Sequence, residues 1–298
     1  MPNVINYVEQ FDTRIRSLYD QELFSNDLFN TNQDVKMLNA KTMKIPTMNV
    51  SGYKNHTRAG SFNAGTYQNA FETKTLDHDR DIEFAVDPMD VDETNQILTT
   101  ANIHSRFEKT QAIPELDCYT FSKLHSELTR VNGTIKTTAL TTANVLSDWD
   151  DNVQTFKDAG VPLSRCILYC TATYEKLLKN AAGITRNLNI NSGNAIDRRV
   201  LSLDDLGKLV VVPSERFNTL YDFTDGYEAD ASGKQMDYIL IDPEAQVSRV
   251  KYSYIHMFAP GSDSRTADNY MYQNRRYNGT FSLVDADFKK GCIIHRAA

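Results

Sequence analysis

Cysteine is scarce in this chain of 298 residues, which holds only Cys118, Cys166, Cys170 and Cys292. Four cysteines are too few to hold a chain of this length together by disulfides. No CxxC pair is present, and a zinc site at Cys166 and Cys170 would lack a second pair of ligands. We therefore expect four reduced thiols, most of them buried.

Clusters of basic residues are also missing: the densest are the pairs 198–199, 275–276 and 289–290, and the formal net charge is −7. Proteins neutralise nucleic-acid phosphates with grouped lysine and arginine, so this composition argues against broad binding of DNA or RNA. No apolar run approaches the ~18 residues of a membrane span, and the first residues do not form a signal peptide. We expect a protein that is made in the cytoplasm and does not enter a membrane.

Known catalytic and cofactor motifs are absent: there is no P-loop, no GxGxxG after a strand, no HExxH and no GxSxG. The six histidines are scattered, without the spacing of metal ligands. Residues 77–81 start like a calcium loop, but Ile82 and Pro88 occupy the positions that require glycine and glutamate. We expect no catalytic residue, no cofactor and no metal.

What the chain does have is a long extended segment, residues 46–86, in which Thr, Ser, Gly and Asn separate widely spaced apolar residues. Two strands of roughly 20 residues, at about 3.3 Å per residue, would reach on the order of 60 Å. A two-stranded ribbon by itself is only marginally stable in water. The segment therefore predicts an arm whose stabilising surface lies on another chain.

The return leg of this segment, Phe71 to Val86, alternates with a period of two, as a strand does. One of its faces carries a row of acidic side chains: Asp77, Asp79, Asp81 and Glu83. We expect this acidic row to be solvated or to face basic side chains across a subunit boundary.

A long helical stretch follows over residues 91–131, and Pro114 interrupts it. Proline inside a helix removes a hydrogen bond, so we expect a kink or a split near this residue. The other predicted elements are helices over 3–24, 139–159 and 172–181, the last capped by Thr171, and strands over 166–170, 200–203, 209–212 and 238–241. This mixture is typical of an α+β protein.

Residues 114–124, Pro-Glu-Leu-Asp-Cys-Tyr-Thr-Phe-Ser-Lys-Leu, resemble a stretch of the major capsid proteins of tailed bacteriophages, Pro-Glu-(Ile/Leu)-Asp-x-(Tyr/Phe)-x-x-(Ser/Ala)-Lys-Leu. The order of the other segments is similar to that of the Hong Kong-97-like capsid fold. Those segments include DHDRDIEFAVDPMDVDET, RCILYCTATYEKLLKNA, GKLVVVPSERF and DYILIDPEAQVSRVK. The resemblance implies a structural major capsid protein that self-assembles into the icosahedral head shell around a double-stranded DNA genome.

The resemblance also implies an α+β fold of five parts, in which the extended loop reaches over an adjacent subunit. These parts are an N-terminal arm (1–45), an extended loop (46–90), a long spine helix with the first part of the peripheral domain (91–134), an axial domain (135–232), and a return to the peripheral domain and the C-terminus (233–298).

The partners that the resemblance implies are other copies of the chain in pentamers and hexamers, a portal protein, and packaged DNA through weak, non-specific contact. The protein would then reside in the virion. No long extension precedes the arm, so we expect a separate scaffolding protein. One branch of the family cross-links a loop lysine to a neighbour's asparagine, and Lys54 and Lys74 are available for such chemistry.

Three regions are expected to contact neighbouring subunits: the tip of the extended loop, the acidic row, and axial loops near 183–199 and 218–236. The expected contact residues of the loop and the row are Arg58, Ala59, Gly60, Phe62, Tyr67, Lys74, Asp77, Asp79, Asp81 and Glu83. Three other classes stay open: the shell protein of an encapsulin-type bacterial compartment, a tail or other phage structural protein, and a cytosolic enzyme.

Overall fold

The computed structural model describes residues 23–29, 36–37, 42–56, 62–89, 100–181, 203–262 and 268–298. It mixes helices with sheets, as the sequence predicts. The helices are α1 Asn26–Phe29, α2 Thr100–Phe107, α3 Ile113–Arg130, α4 Val145–Asp158, α5 Ala172–Lys179 and α6 Asp285–Gly291. The strands are β1 Lys36–Met37, β2 Thr42–Val50, β3 Tyr67–Thr75, β4 His78–Val86, β5 Thr134–Lys136, β6 Ile167–Thr171, β7 Lys208–Val212, β8 Tyr221–Asp222, β9 Glu228–Ala229, β10 Met236–Ile241, β11 Gln246–Phe258, β12 Tyr270–Ser282 and β13 Cys292–Arg296.

The largest sheet holds five strands in the order β5-β13-β10-β6-β7. Strand β10 runs antiparallel to β13 and β6, while β5 and β7 lie parallel to their neighbours. Every residue of β6 is buried, because helices cover both faces of the sheet. On one face α3 supplies Phe121 and Leu124. On the other face α4 supplies Trp149 and Phe156.

A second, antiparallel sheet has three strands in the order β11-β12-β4. Helices α2 and α3 pack against one of its faces, where the Phe84 and Phe107 rings meet edge to face at 5.7 Å. Beside them, the buried Glu108 carboxylate accepts hydrogen bonds from Asn274 at 2.8 Å and from Arg276 at 2.7 Å. The opposite face of this sheet is exposed to solvent along β4.

The return leg predicted as one strand over residues 71–86 is instead two strands in different sheets. Strand β3 pairs with β2 in a sheet of order β1-β2-β3, whereas β4 pairs with β12. The change of sheet occurs at Leu76, whose side chain is buried with Ile45, Val247 and Phe281. Burial of this leucine at the corner stabilises the break in the strand.

The long helical stretch is not split at Pro114, because it is continuous through α2 and α3. Between them, Glu108–Ala112 forms a π-helical turn, in which the Ile113 amide donates to the Glu108 carbonyl. Pro114 is the second residue of α3 and has no N–H to donate to the Thr110 carbonyl, which instead accepts a hydrogen bond from the Tyr227 hydroxyl at 3.2 Å. The irregularity predicted at the proline is therefore a π turn just before it. The predicted start of the stretch at residue 91 lies outside the described residues.

Most local predictions in the large sheet are confirmed. Strands β6, β7 and β10 match the three strands predicted there, and Thr171 caps α5 by accepting a hydrogen bond from the Tyr174 amide at 3.3 Å. The helix predicted from residue 139 begins later, at Val145. The helix predicted over 3–24 lies almost wholly outside the described residues, as does the strand predicted over 200–203.

All four cysteines are buried and free, as predicted. Burial raises the pKa of the Cys118, Cys166 and Cys170 thiols to about 12, and it raises the pKa of Cys292 as well. At neutral pH these thiols are protonated, so they offer no thiolate nucleophile.

Asp117 joins three parts of the chain on the buried side of α3. Its carboxylate accepts hydrogen bonds from the Ser25 amide at 3.0 Å and from the Ser25 hydroxyl at 2.8 Å. Arg216, which follows β7, donates to the same carboxylate at 3.2 Å. Burial raises the pKa of Asp117, and the hydrogen bonds from Ser25 and the charge of Arg216 oppose that rise. The carboxylate thus fixes the segment before α1 and the segment after β7 to one helix.

Replacement of Asp117 by alanine should therefore lower the free energy of unfolding by about 3 kcal/mol, because buried donors of Ser25 and Arg216 lose their acceptor. Asp117→Asn keeps one acceptor oxygen and should cost less. Urea unfolding of the dispersed chain measures both changes. An alanine variant as stable as the unchanged chain would contradict this role.

Candidate subunit interface

The candidate interface is the antiparallel pair of β2 and β3, called the ribbon, with the described residues 51–56 and 62–66 that follow and precede these strands, called the tip. Opposed residues of an antiparallel pair share a face. The register pairs Val50 with Tyr67, Met48 with Asn69 and Pro46 with Phe71, so Met48, Val50, Tyr67 and Phe71 share one mainly apolar face, with Asn69 between the two aromatic residues. The opposite face carries polar or small side chains: Thr47, Asn49, Gln68 and Ala70. The ribbon therefore has an apolar face and a polar face.

The apolar face of the ribbon is open to solvent. The exposed fraction is 70% for Met48 and Val50, 80% for Tyr67 and 59% for Phe71. Single exposed apolar side chains are normal on a protein surface, but a continuous apolar patch marks a site of interaction. The apolar face of the ribbon is therefore a candidate interaction surface.

The tip places aromatic and cationic side chains at the end of the ribbon. Tyr53 and Phe62 are almost fully exposed, and the exposed Lys54 donates a hydrogen bond to the Ala64 carbonyl at 3.1 Å. Of the predicted tip contacts, Phe62 and Tyr67 thus lie at the surface. Arg58, Ala59 and Gly60 lie outside the described residues.

The base of the ribbon is fixed to the body of the subunit by apolar contact and by an ion cluster. Ile45 is fully buried against Leu76 and its neighbours. Lys74 lies 2.6 Å from Glu72 and 3.4 Å from Asp285, measured from Nζ to the carboxylate oxygens. Arg130, at the end of α3, donates to both oxygens of Asp285 at 2.6 Å and 2.8 Å.

This ion cluster holds Lys74 against its own subunit. Hydrogen bonds from Arg130 hold the pKa of Asp285 well below its usual range, so the aspartate stays ionised beside the lysine. Lys74 is buried, and its ammonium group contacts its own subunit. Within one subunit Lys74 thus helps to fix the base of the ribbon, and its predicted contact with a neighbouring chain stays a prediction.

The acidic row is exposed along β4, but its first two members have partners within the chain. Asp77 accepts hydrogen bonds from the Tyr119 hydroxyl at 2.6 Å and from Lys123. Burial raises the pKa of Asp77, but those two hydrogen bonds and the charge of Lys123 act against it, and the pKa lies below its usual value. Asp79 forms an ion pair with Arg275 at 2.7 Å.

The last two members of the acidic row have fewer contacts among the described residues. Glu83 accepts a hydrogen bond from Gln273 at 2.6 Å, and Asp81 is exposed beside it with no ion pair in the described part of the chain. Asp81, which is opposed to Arg275 in the register, and Glu83 form no ion pair among the described residues, and their predicted contact with a neighbour stays a prediction.

The sequence alone did not reveal two features of the interface. One is the grouping of Met48 with Val50, Tyr67 and Phe71, because that grouping depends on the strand register. The other is the ion cluster at Asp285, whose members lie far apart along the chain. For the apolar grouping, the available signal in the sequence was the alternation of apolar residues within β2.

No group of three His, Cys, Asp or Glu side chains in the described residues could hold a metal ion. Among the described helices, none is both long and apolar enough to cross a membrane.

No protein-family model matches the chain, and no curated protein sequence matches it. Solved structures do match. The capsid structure of cyanophage P-SCSP1u is similar with a TM-score of 0.63 and 12% identity, over 91% of this chain and 87% of that one. The mature capsid of bacteriophage PhiM1 is similar with a TM-score of 0.59 and 12% identity, over 87% and 82%. A virus-like particle from Pyrococcus furiosus is similar with a TM-score of 0.55 and 9% identity, over 97% and 99%.

These similarities establish the fold, which is a mixed helix and sheet fold shared with phage capsid structures over almost the whole chain. The chain has the fold of the major capsid proteins of tailed bacteriophages, so the resemblance seen in the sequence is confirmed at the level of the fold.

Replacing Val50 and Tyr67 together by serine should leave the free energy of unfolding of the dispersed chain within about 0.5 kcal/mol, because both are exposed. The same change should reduce association between copies at least about tenfold, since burial of each side chain contributes about 1.5–3 kcal/mol. Light scattering during assembly measures the second effect.

The matched control is Thr47→Ser with Ala70→Ser, an opposed pair on the polar face of the ribbon. This control should associate normally. Normal association of the Val50/Tyr67 variant, or an equal loss in the control, would show that the apolar face is not an interface.

Proposed function

We propose that the chain is the major capsid protein of a tailed bacteriophage. It is a structural subunit without catalytic activity that assembles with copies of itself into the icosahedral head shell around a double-stranded DNA genome. The fold supports this proposal, and the open apolar face of the ribbon is the observation that carries it.

The physical argument is that a subunit alone leaves the apolar face of the ribbon in water. Covering Met48, Val50, Tyr67 and Phe71 would contribute about 1.5–3 kcal/mol for each side chain fully buried. A closed shell repeats the same contact at every subunit, so a contact that is weak alone holds a stable particle. Assembly is thus the process that this surface favours.

The proposed parts of the subunit follow the boundaries expected from the sequence. They are an N-terminal arm (1–45), an extended loop (46–90) that contains the ribbon, a spine helix with the first part of the peripheral domain (91–134), an axial domain (135–232) and a C-terminal return (233–298). Within the axial domain, the hairpin of β8 and β9 is a candidate for contact around the five- and six-fold axes.

The residues that we propose to contact neighbouring subunits include those predicted at the end of the extended loop and in the acidic row. They are Arg58, Gly60, Phe62, Tyr67, Asp77, Asp79, Asp81 and Glu83. Met48, Val50 and Phe71 join them because of their exposure. Lys74 contributes indirectly, as an anchor of the ribbon.

The proposed partners are other copies in pentamers and hexamers, a separate scaffolding protein, a portal protein, and packaged DNA through weak, non-specific contact. The net charge of −7 supports the weak contact, since a shell that bound its DNA tightly would need clustered cations. The subunit is made in the host cytoplasm and resides in the virion.

A second candidate function is the shell of an encapsulin-type bacterial compartment that encloses an enzyme. The observation that favours it is the similarity to the Pyrococcus furiosus virus-like particle, which extends over 97% of this chain and 99% of that one.

Negative-stain microscopy of the concentrated chain, with and without polyethylene glycol as a crowding agent, tests the proposal. We expect closed shells of uniform diameter. A chain that forms no closed shells under these conditions, nor in an extract of infected cells that supplies the proposed scaffolding protein, would contradict a shell function.

Nuclease treatment of particles isolated from infected or expressing cells separates the two candidates. A phage head should protect long double-stranded DNA, and a compartment should protect a co-purifying protein without DNA.

A further inference from the structure

The last strand of the large sheet, β13, carries a buried histidine that joins two other parts of the chain. His295 is 1% exposed, and each of its ring nitrogens lies within hydrogen-bond distance of an oxygen atom. Nδ1 is 2.8 Å from Oδ2 of Asp237 on β10. Nε2 is 2.7 Å from the carbonyl oxygen of Thr138, in the segment between β5 and α4. We call these three residues the histidine bridge.

A β-bulge in β10 brings the carboxylate to the histidine ring. The register pairs Met236 with Arg296 and Tyr238 with His295, so Asp237 is the extra residue between them. A bulge of this kind changes the direction of a side chain relative to a regular strand. Both Asp237 and Tyr238 therefore contact the ring, the first through its carboxylate and the second by stacking at 5.4 Å between ring centroids.

The two acceptors require two protons on the ring. A carbonyl oxygen can only accept a hydrogen bond, so Nε2 must donate to Thr138. An ionised carboxylate also only accepts, so Nδ1 must donate to Asp237. A neutral imidazole has a single N–H and cannot donate to both oxygens. Because the ring is buried, losing one proton would leave two acceptors facing each other without a donor, which is costly.

The charges around the histidine bridge favour the imidazolium form. Lys136 of β5, which is opposed to the histidine in the register, pairs with Asp148 of α4 at 2.9 Å. Asp148 also accepts a hydrogen bond from the Tyr238 hydroxyl at 2.6 Å. Arg296, the next residue of β13, donates to the Ala297 carbonyl. In the described part of the chain Asp237 has no ion pair other than the histidine, so its negative charge is left to the imidazolium.

We propose that the histidine bridge is a pH-dependent contact that holds residues 137–139 against the large sheet while His295 is doubly protonated. Histidine changes its charge between about pH 5 and pH 8. When the ring becomes neutral, its remaining proton stays with the ionised carboxylate of Asp237, the stronger acceptor. The contact with Thr138 is then lost, and the exposed residues 137–139 are released. This inference concerns the subunit itself and goes beyond the proposed function.

The variant Asp237→Asn removes the need for the second proton. The introduced amide can donate to a neutral Nδ1, so Nε2–H stays on the Thr138 carbonyl at either pH. The folded unchanged chain holds a proton that it gives up as the pH rises, so its stability should fall in that direction. Between about pH 5.5 and pH 8, urea unfolding of the dispersed chain should show at least about a fivefold larger rise in the unfolding equilibrium constant than in this variant.

The comparison with a variant is necessary because three other histidines titrate in the opposite direction. Burial lowers the pKa of His78, His104 and His125 to about 4, so they favour the folded state as the pH rises. Their contribution is common to both proteins and cancels. Equal pH dependence of the unchanged chain and Asp237→Asn would overturn the proposal.

The variant His295→Gln distinguishes a pH-dependent role from a merely structural one. It should raise the unfolding equilibrium constant about tenfold at pH 5.5 but no more than about twofold at pH 8, because the unchanged chain has already lost one contact there. An equal effect at both pH values would overturn the proposal. His256→Gln, on β11 of the three-stranded sheet, is the matched control and should leave the pH profile unchanged.

Nitrogen-15 NMR of the imidazole rings detects the proton directly, with the His295→Gln spectrum assigning the signal. We expect two protonated ring nitrogens at about pH 5.5 and one at about pH 8 in the unchanged chain. A single protonated nitrogen at both pH values would overturn the proposal. Either outcome leaves the proposed shell function as it is, because these measurements use the dispersed chain.

Discussion

The structure depends on one constraint: a two-stranded ribbon cannot bury its own apolar face. A sheet of two main strands has no second layer, so the side chains on either face meet water unless another surface covers them. In this chain one face of the ribbon carries Met48, Val50, Tyr67 and Phe71, all exposed. The missing layer must come from elsewhere, and we propose that a second copy of the same fold supplies it.

The rest of the subunit holds this ribbon in place. Ile45 fixes its base in a small apolar cluster, while Lys74, Asp285 and Arg130 tie β3 to the end of α3 and to the start of α6. Helix α3 is in turn packed against the large sheet, and Asp117 joins it to the segments around Ser25 and Arg216. These contacts attach the base of the ribbon to the body of the subunit.

Much of the fold could be predicted from the sequence, because period-two and helical patterns are local properties. The strands at β6, β7 and β10, the cap at Thr171 and the buried cysteines are examples. The ion cluster could not be predicted, since Lys74 and Asp285 are 211 residues apart and only the tertiary fold joins them. The π turn before Pro114 contains Glu108, whose partners Asn274 and Arg276 lie on a distant strand. The acidic row was visible in the sequence, but the partners of Asp77 and Asp79 within the chain were not.

The most direct test of the account is backbone amide hydrogen exchange of the ribbon, measured in the dispersed chain and in assembled particles. A ribbon covered by a neighbour should exchange at least about tenfold more slowly over Thr42–Val50 and Tyr67–Thr75 in the particle, because opening then requires loss of the covering surface. The strands of the large sheet should change little. Equal exchange of the ribbon in both states would show that no other chain covers it, which would contradict the central claim.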